Sequence, residues 1–262
     1  MNTLAGKTAL VTGASSGLGV DFARELARHG ARLVLVARRE DLLKQVQAEI
    51  KQTHGVEVTL VATDLSTADA PKKLYDQLKQ QNIVVDVLVN NAGFGTYGLE
   101  LDTPWEKTQQ MLMLNMLTLT YMTKLFARDM VKRGDGYILQ VASIGAYQPS
   151  PLYAAYSATK SYVRSFSQAL NYELRDSGVS CTVLSPGATA TEFLKVSGQK
   201  LLWAHKATMM TSAEVAHSGI RAMLNRRYSI VPGWINWITT LMTFITPDWA
   251  NAALAHKAMK DG

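Results

Sequence analysis

The chain has 262 residues, 47% of them hydrophobic and 18% charged, with 27 Lys and Arg against 21 Asp and Glu for a formal charge of +6. That length is enough to bury a full core. The modest positive balance suits anionic ligands or an anionic membrane surface, without the basic runs that would point to nucleic acid. A lone cysteine, Cys181, excludes a disulfide scaffold or a cysteine zinc cluster, and the five histidines form no i, i+4 pair of the kind metal sites on helices use. Met1 to Lys7 runs straight into an apolar strand with no leader-like charged and apolar segment before it, so the expectation is a cytoplasmic protein.

In chain order, apolar runs of four to six residues recur at Thr8 to Val11, Arg32 to Val36, Val56 to Val61, Val85 to Val89, Tyr137 to Val141 and Val179 to Leu184. Their apolar residues are consecutive rather than alternating, the pattern of strands covered on both faces of a parallel sheet. Cys181 falls inside the last run and reads as a core thiol. Between the runs lie stretches with helical spacing, such as Phe22 and Leu26 before Gly30 ends the helix. The order predicts an α/β chain with a doubly wound, Rossmann-like parallel sheet, helices on both faces and ligands at the carboxyl ends of the strands. No repeat, low-complexity segment or linker interrupts it before about residue 190, and the whole of 1–262 reads as one domain.

The first run is followed by Thr12-Gly13-Ala14-Ser15-Ser16-Gly17-Leu18-Gly19 and then a helix near Val20. Glycines there let the backbone turn and approach a pyrophosphate, and the helix N-terminus supplies amide donors. A tight strand-to-helix turn is the structural alternative. About 20 residues on, where an NAD-binding chain places a carboxylate against the ribose 2'-hydroxyl, this one has Ala37, Arg38 and Arg39. Guanidinium groups there grip a 2'-phosphate, which predicts NADP(H) over NAD(H).

Further on stand Asn90-Asn91-Ala92-Gly93, Asn115, Ser143 and Tyr156-Ser157-Ala158-Thr159-Lys160. With the glycine loop and Pro186-Gly187, in this order from Lys7 to about Thr191, the chain resembles the short-chain dehydrogenase/reductase family. Tyr156 and Lys160, at i and i+4, share a helix face. A nearby ammonium favours the phenolate, so Lys160 is expected to lower the Tyr156 pKa and let Tyr156 act as general acid and base. The resemblance implies that Ser143 hydrogen-bonds the reacting oxygen, that Asn115 holds a helix distortion and a water path to Lys160, and that Lys160 holds the nicotinamide ribose. It also implies that Asp64 and Leu65 meet the adenine, that Asn91 and Gly93 border the adenosine ribose, and that Pro186, Gly187, Thr189 and Thr191 border the nicotinamide. Relatives often carry Val or Ile where Thr189 stands. Asp64 also suits a helix N-cap.

A substrate loop over 190–215 contributes Phe193, Leu194, Leu201, Leu202 and Trp203, which with Phe94 and Tyr97 predict an apolar pocket. Tyr153 lines that pocket or packs beside it. From Tyr228 to Pro247 no residue is charged. Pro232-Gly233 interrupts this tract, leaving a helix of about 13 residues, too short to span a bilayer. It heads an apolar C-terminal extension over 228–262 that resembles the branch near hydroxysteroid dehydrogenases and 3-oxoacyl reductases. Packing as a substrate lid, an oligomer interface and shallow membrane contact remain open for it. Met111, Met113, Met116 and Met122 belong to helices that such proteins use for homodimers and homotetramers. The expected activity is NADPH-dependent reduction of an apolar ketone or aldehyde by a carbonyl reductase. Oxidation of a hydroxysteroid or 3-hydroxyacyl alcohol and a non-catalytic dinucleotide sensor are the alternatives.

Overall fold

Each consecutive apolar run becomes a strand with helices on both sides. The computed structural model describes residues 4–190, 197–199 and 209–260. Strands β1 (Thr8–Thr12), β2 (Arg32–Ala37), β3 (Val58–Ala62), β4 (Val87–Asn90), β5 (Gly136–Val141) and β6 (Val179–Leu184) alternate with helices α1 (Leu18–Arg28), α2 (Glu40–His54), α3 (Ala70–Gln80), α4 (Trp105–Leu112), α5 (Leu119–Arg133) and α6 (Ala154–Glu173). After β6 come a small parallel pair, β7 (Thr189–Ala190) and β8 (Met210–Thr211), then α7 (Ser212–Leu224), β9 (Ser229–Ile230), α8 (Trp234–Thr243) and α9 (Asp248–Lys260). The main sheet runs β3-β2-β1-β4-β5-β6-β9, with every pairing parallel.

Alternate residues of each strand enter opposite cores. Ala9, Val11, Leu33, Leu35, Val87 and Val89 pack with Phe22 and Leu26 of α1, Leu43 and Ile50 of α2, and Val215 and Ile220 of α7. Leu10, Val34, Leu88, Ile138 and Cys181 pack on the other side with Leu74 of α3 and with Met122, Phe126 and Met130 of α5. Full burial of each such leucine or phenylalanine contributes about 1.5–3 kcal/mol. Two covered faces leave these strands no solvent side, which is why their apolar residues are consecutive rather than alternating, and the polar residues among them, such as Gln140, Ser180 and Thr182, are buried.

Two predicted strands start later than their apolar runs. Gly55, left-handed at φ 67°, caps α2, and the chain turns through Val56 before pairing begins at Val58. Val85 likewise precedes β4, and the Asp86 carboxylate beside it accepts from the Thr8 amide at 2.9 Å. Ser229–Ile230, inside the uncharged tract, adds a seventh strand against β6. Of the uses left open for the following helix, inward packing of its apolar face is not what forms. Asn236 and Thr240 are the buried residues of α8, while Trp234, Trp237, Leu241 and Ile245 face outward. The polar residues turn inward because local carbonyls satisfy them: Asn236 donates to Pro232 at 3.0 Å and Thr240 to Trp237 at 2.8 Å.

Candidate active site

In the sheet order, β1 and β4 are neighbours at the point where successive strands change direction of travel, and the crevice at such a point is where open α/β sheets bind ligands. A cleft of about 990 Å³ opens there, at the upper end of the roughly 300–1,000 Å³ usual for small-molecule sites.

One end of the cleft is the glycine loop. Gly13 has φ 67°, and a Cβ on Gly19 would lie 2.1 Å from the Gly13 carbonyl oxygen, so the loop closes only without side chains at these points. Asn91 braces it, donating through Nδ2 to the Thr12 carbonyl at 2.9 Å and the Gly13 carbonyl at 3.4 Å. The Thr12 hydroxyl accepts from the amides of Asn91 and Ala92. Thr12 was not among the residues picked from the sequence, although it opens the glycine motif. Gly17 begins α1 without a side-chain cap, leaving first-turn amides available to an anion. Ser15, Ser16, Gly17 and Leu18 line the cleft.

At the end of β2, the Arg39 guanidinium donates to Ser16 Oγ at 2.8 Å and so leans over the loop. Arg38, 74% exposed in its side chain, lies 3.9 Å from the Asp64 carboxylate. Both arginines line the cleft. Asp64 is not a helix cap, because α3 starts at Ala70 after Asp69. It closes a turn instead, accepting from the Ser66 amide at 2.9 Å and hydroxyl at 2.8 Å. Desolvation pushes its carboxyl up, and the Ser66 bonds with Arg38 more than offset that, leaving it below the usual range. Leu65, Ala92 and Gly93 border the same wall. An uncapped helix end, a side-chain-free cradle and cations at the rim fit a phosphorylated dinucleotide.

At the other end of the cleft, Ser143 and Tyr156 meet. Ser143 begins a short 3-10 turn, Ile144–Tyr147, and its Oγ accepts from the Gly145 amide at 3.1 Å. Its hydroxyl also hydrogen-bonds the Tyr156 phenol. Lys160, one turn along α6, is buried and donates to the Val141 carbonyl at 2.9 Å, with Nζ 5.7 Å from the Tyr156 ring centre. Burial lowers the Lys160 pKa to about 8.

The expectation that Lys160 lowers the Tyr156 pKa is not met in this structure. Tyr156 keeps some accessible surface but sits among so many protein atoms that desolvation raises its pKa well above the usual value, against the weaker opposing bond from Ser143. The ammonium is spent on a backbone carbonyl rather than on the phenol. Tyr156 is therefore protonated at neutral pH.

Asn115 lies behind the cleft wall in a π-helical turn, Met113–Thr118, between α4 and α5. Its amide accepts from the Phe94 N–H at 3.2 Å, donates to the Phe94 carbonyl at 2.9 Å and donates to Thr159 Oγ1 at 3.1 Å. It thereby ties the loop after Gly93 to α6, and a Cβ on Gly93 would lie 2.8 Å from Asn115 Oδ1. Pro186, Gly187 and Thr189 complete this end, the Pro186 carbonyl accepting from the Ile144 amide at 2.9 Å.

The substrate side is aromatic. Tyr97, Tyr153 and Tyr156 follow one another with ring centres 5.5 and 5.6 Å apart, and Phe94 lines the same space. Tyr153 is buried, its hydroxyl 2.9 Å from both Ser197 Oγ and Gln199 Oε1. Burial, only partly opposed by Ser197, pushes its phenol up to about 12. Tyr97 donates to the Met259 carbonyl at 2.9 Å, so α9 reaches this wall. Gln199 and Met259 carried no sequence signal, lying 46 and 162 positions from the tyrosines they meet. Thr191, Phe193, Leu194, Leu201, Leu202 and Trp203 lie outside the described residues.

Comparison with known proteins shows the family. The family model for short chain dehydrogenase matches residues 7–201. A very-long-chain 3-oxoacyl-CoA reductase of Rattus norvegicus is 33% identical over 253 residues, 91% of this chain and 80% of that one. The 17-beta-hydroxysteroid dehydrogenase type 3 of Mus musculus is 31% identical over 258 residues, 92% of this chain and 81% of that one. Among solved structures, a short-chain dehydrogenase from Sphingobium yanoikuyae in complex with NADPH has a TM-score of 0.82 at 29% identity, covering 91% of this chain and 94% of that one. The chain belongs to the short-chain dehydrogenase family and is an oxidoreductase.

Proposed function

We propose that the protein uses NADPH to reduce a ketone on a long apolar chain, of the 3-oxoacyl class, to the secondary alcohol. The observation that carries this reading is a protonated Tyr156 hydrogen-bonded to Ser143 at the aromatic end of a cleft whose far end is a phosphate cradle. When bound, the reduced dinucleotide supplies the hydride. Ser143 donates to the carbonyl oxygen and Tyr156 delivers the proton that makes it a hydroxyl. Lys160 holds the nicotinamide ribose and keeps a positive charge beside the phenol. Asn115 positions both sides of the site through Phe94 and Thr159.

Reduction needs the Lys160 ammonium. Since its pKa is lowered to about 8, kcat/KM for reduction is expected to fall as pH rises through that value, and a profile flat across that range contradicts the role given to Lys160.

NADP(H) preference rests on Arg38 and Arg39 at the end of β2, where no carboxylate stands to repel a 2'-phosphate. Charge-assisted bonds of this kind are worth about 1.5–3 kcal/mol. Arg38→Ala and Arg39→Ala are thus expected to lower the NADPH-to-NADH affinity ratio by about tenfold to a hundredfold. Titration of both cofactors against each variant checks this, and an unchanged ratio removes the arginines from the account.

Gln199 supports the 3-oxoacyl class. Its Oε1 is bonded to Tyr153, but its buried Nε2 has no partner among the described residues. A second acceptor oxygen on the substrate would satisfy it, whereas a plain hydrocarbon ketone leaves it unpaired. Wild-type protein is expected to favour a 3-oxoacyl thioester over a ketone of equal length, and Gln199→Met to lose most of that preference. Equal preference in both proteins counts against it.

A steroid ketone or alcohol is the second reading, favoured by the succession of three tyrosine rings and by the similarity to the mouse hydroxysteroid dehydrogenase. Turnover of steroids above that of acyl chains selects it.

A further inference from the structure

We propose that α8 and α9 form a docking face that lies in the surface of an anionic lipid membrane. This inference does not depend on the identity of the substrate. α8 is amphipathic in the inverse sense of a globular protein, and α9 extends its exposed side through Trp249 and Leu254. Their inward residues are Asn236, Thr240, Asn251 and Ala255, while Trp234, Ile245 and Trp249 are 74%, 75% and 76% exposed. Trp237, Leu241 and Phe244 add to the exposed side. Scattered apolar side chains on a surface need no explanation, but a contiguous set of this size marks a contact.

The fold holds this face rigidly rather than leaving it as a loose tail. Asn251 donates to the carbonyls of Thr243 and Thr246, closing the end of α8 onto α9. The Asn236 amide lies against Gly187, Phe244 meets Tyr147 edge-on at 6.1 Å, and Met259 accepts from Tyr97. The helices are therefore fixed to the body of the protein beside the mouth of the cleft.

Chemistry selects lipid over a second copy of the chain. The apolar face itself carries no charge, since no residue from Tyr228 to Pro247 is charged, and its occupant follows from the aromatic residues on it and the charges at its edge. Three of the five tryptophans in the chain, Trp234, Trp237 and Trp249, are exposed on these two helices. Tryptophan is enriched where hydrocarbon meets headgroups. Between residues 228 and 260 the one acidic residue is Asp248, while Lys257 and Lys260 are exposed near the end of α9, and the chain carries +6 overall. Cations beside an apolar face suit anionic headgroups. No helix among the described residues is long and apolar enough to cross a membrane, so the face rests on the surface.

The test uses the full chain with vesicles of phosphatidylcholine alone and of phosphatidylcholine mixed with phosphatidylserine, following co-sedimentation and quenching of tryptophan emission by brominated lipid. The double variant Trp237→Asp, Leu241→Asp alters two exposed positions outside the cleft, and its turnover of a water-soluble carbonyl is expected to match wild type. Wild-type protein is expected to bind the mixed vesicles more tightly than the neutral ones, and the variant to lose about tenfold or more in partitioning. Absence of wild-type binding to either vesicle overturns the proposal. So does equal binding by wild type and variant. Light scattering on the same samples identifies the rival: a wild-type dimer that the variant converts to monomer, without vesicle binding by either, assigns the face to a second copy.

Discussion

Tyr156→Phe is expected to lower turnover by about two to four orders of magnitude, the usual contribution of a positioned general acid. NADPH affinity should stay within a few-fold of wild type. The substitution removes one hydroxyl and keeps the ring, so the packing of position 156 against Tyr153 at 5.6 Å and beneath Lys160 at 5.7 Å survives. Ser143 still polarises the carbonyl, which leaves a residual rate. Burial holds the proton on this phenol at neutral pH, so it is present for transfer, and among the described residues the neighbouring Tyr153 hydroxyl is engaged with Ser197 and Gln199 instead. Steady-state kinetics with a parallel fluorescence titration of NADPH separates the outcomes. Retained turnover removes Tyr156 from the chemistry, and lost affinity makes its role structural.

Gly19→Ala is expected to weaken dinucleotide binding by about a hundredfold and to cost about 1–3 kcal/mol of stability as an overpacked contact. The new methyl would meet the Gly13 carbonyl oxygen at 2.1 Å and its carbon at 2.7 Å. Both are backbone atoms of a left-handed residue, so neither moves as a side-chain tip can. Separating them opens the loop and pulls Gly13 from the Asn91 amide. A thermal melt measures the stability cost and a cofactor titration the affinity. Wild-type affinity in a folded Gly19→Ala protein refutes the cradle.

The sheet was legible in the sequence because its strands are covered twice. Leu10 and Val11 enter opposite cores, and a strand with no solvent face has no polar alternation to hide it. Ser229–Ile230 was not legible, since a two-residue strand inside an uncharged tract carries no periodicity of its own. The catalytic end was readable because Tyr156 and Lys160 lie one helical turn apart, and because Ser143 and Asn115 stand in family order. Their electrostatics were not. Proximity in sequence implied that the ammonium would serve the phenol, but folding delivers it to the Val141 carbonyl and buries the phenol. A helical wheel likewise separates the faces of α8 without saying which one turns inward. That depends on where Asn236 and Thr240 find carbonyls. Asp64 illustrates the same limit, because a cap and an Asx turn look alike until the start of α3 is known.

The most direct test of the central claim is NADPH oxidation by the purified protein on 3-oxoacyl thioesters of graded chain length, beside simple ketones of the same lengths and a set of steroid ketones. The account predicts turnover that rises with chain length, is highest for the 3-oxoacyl thioesters and yields the 3-hydroxy product. Intact NADPH binding with no turnover of any carbonyl would contradict it.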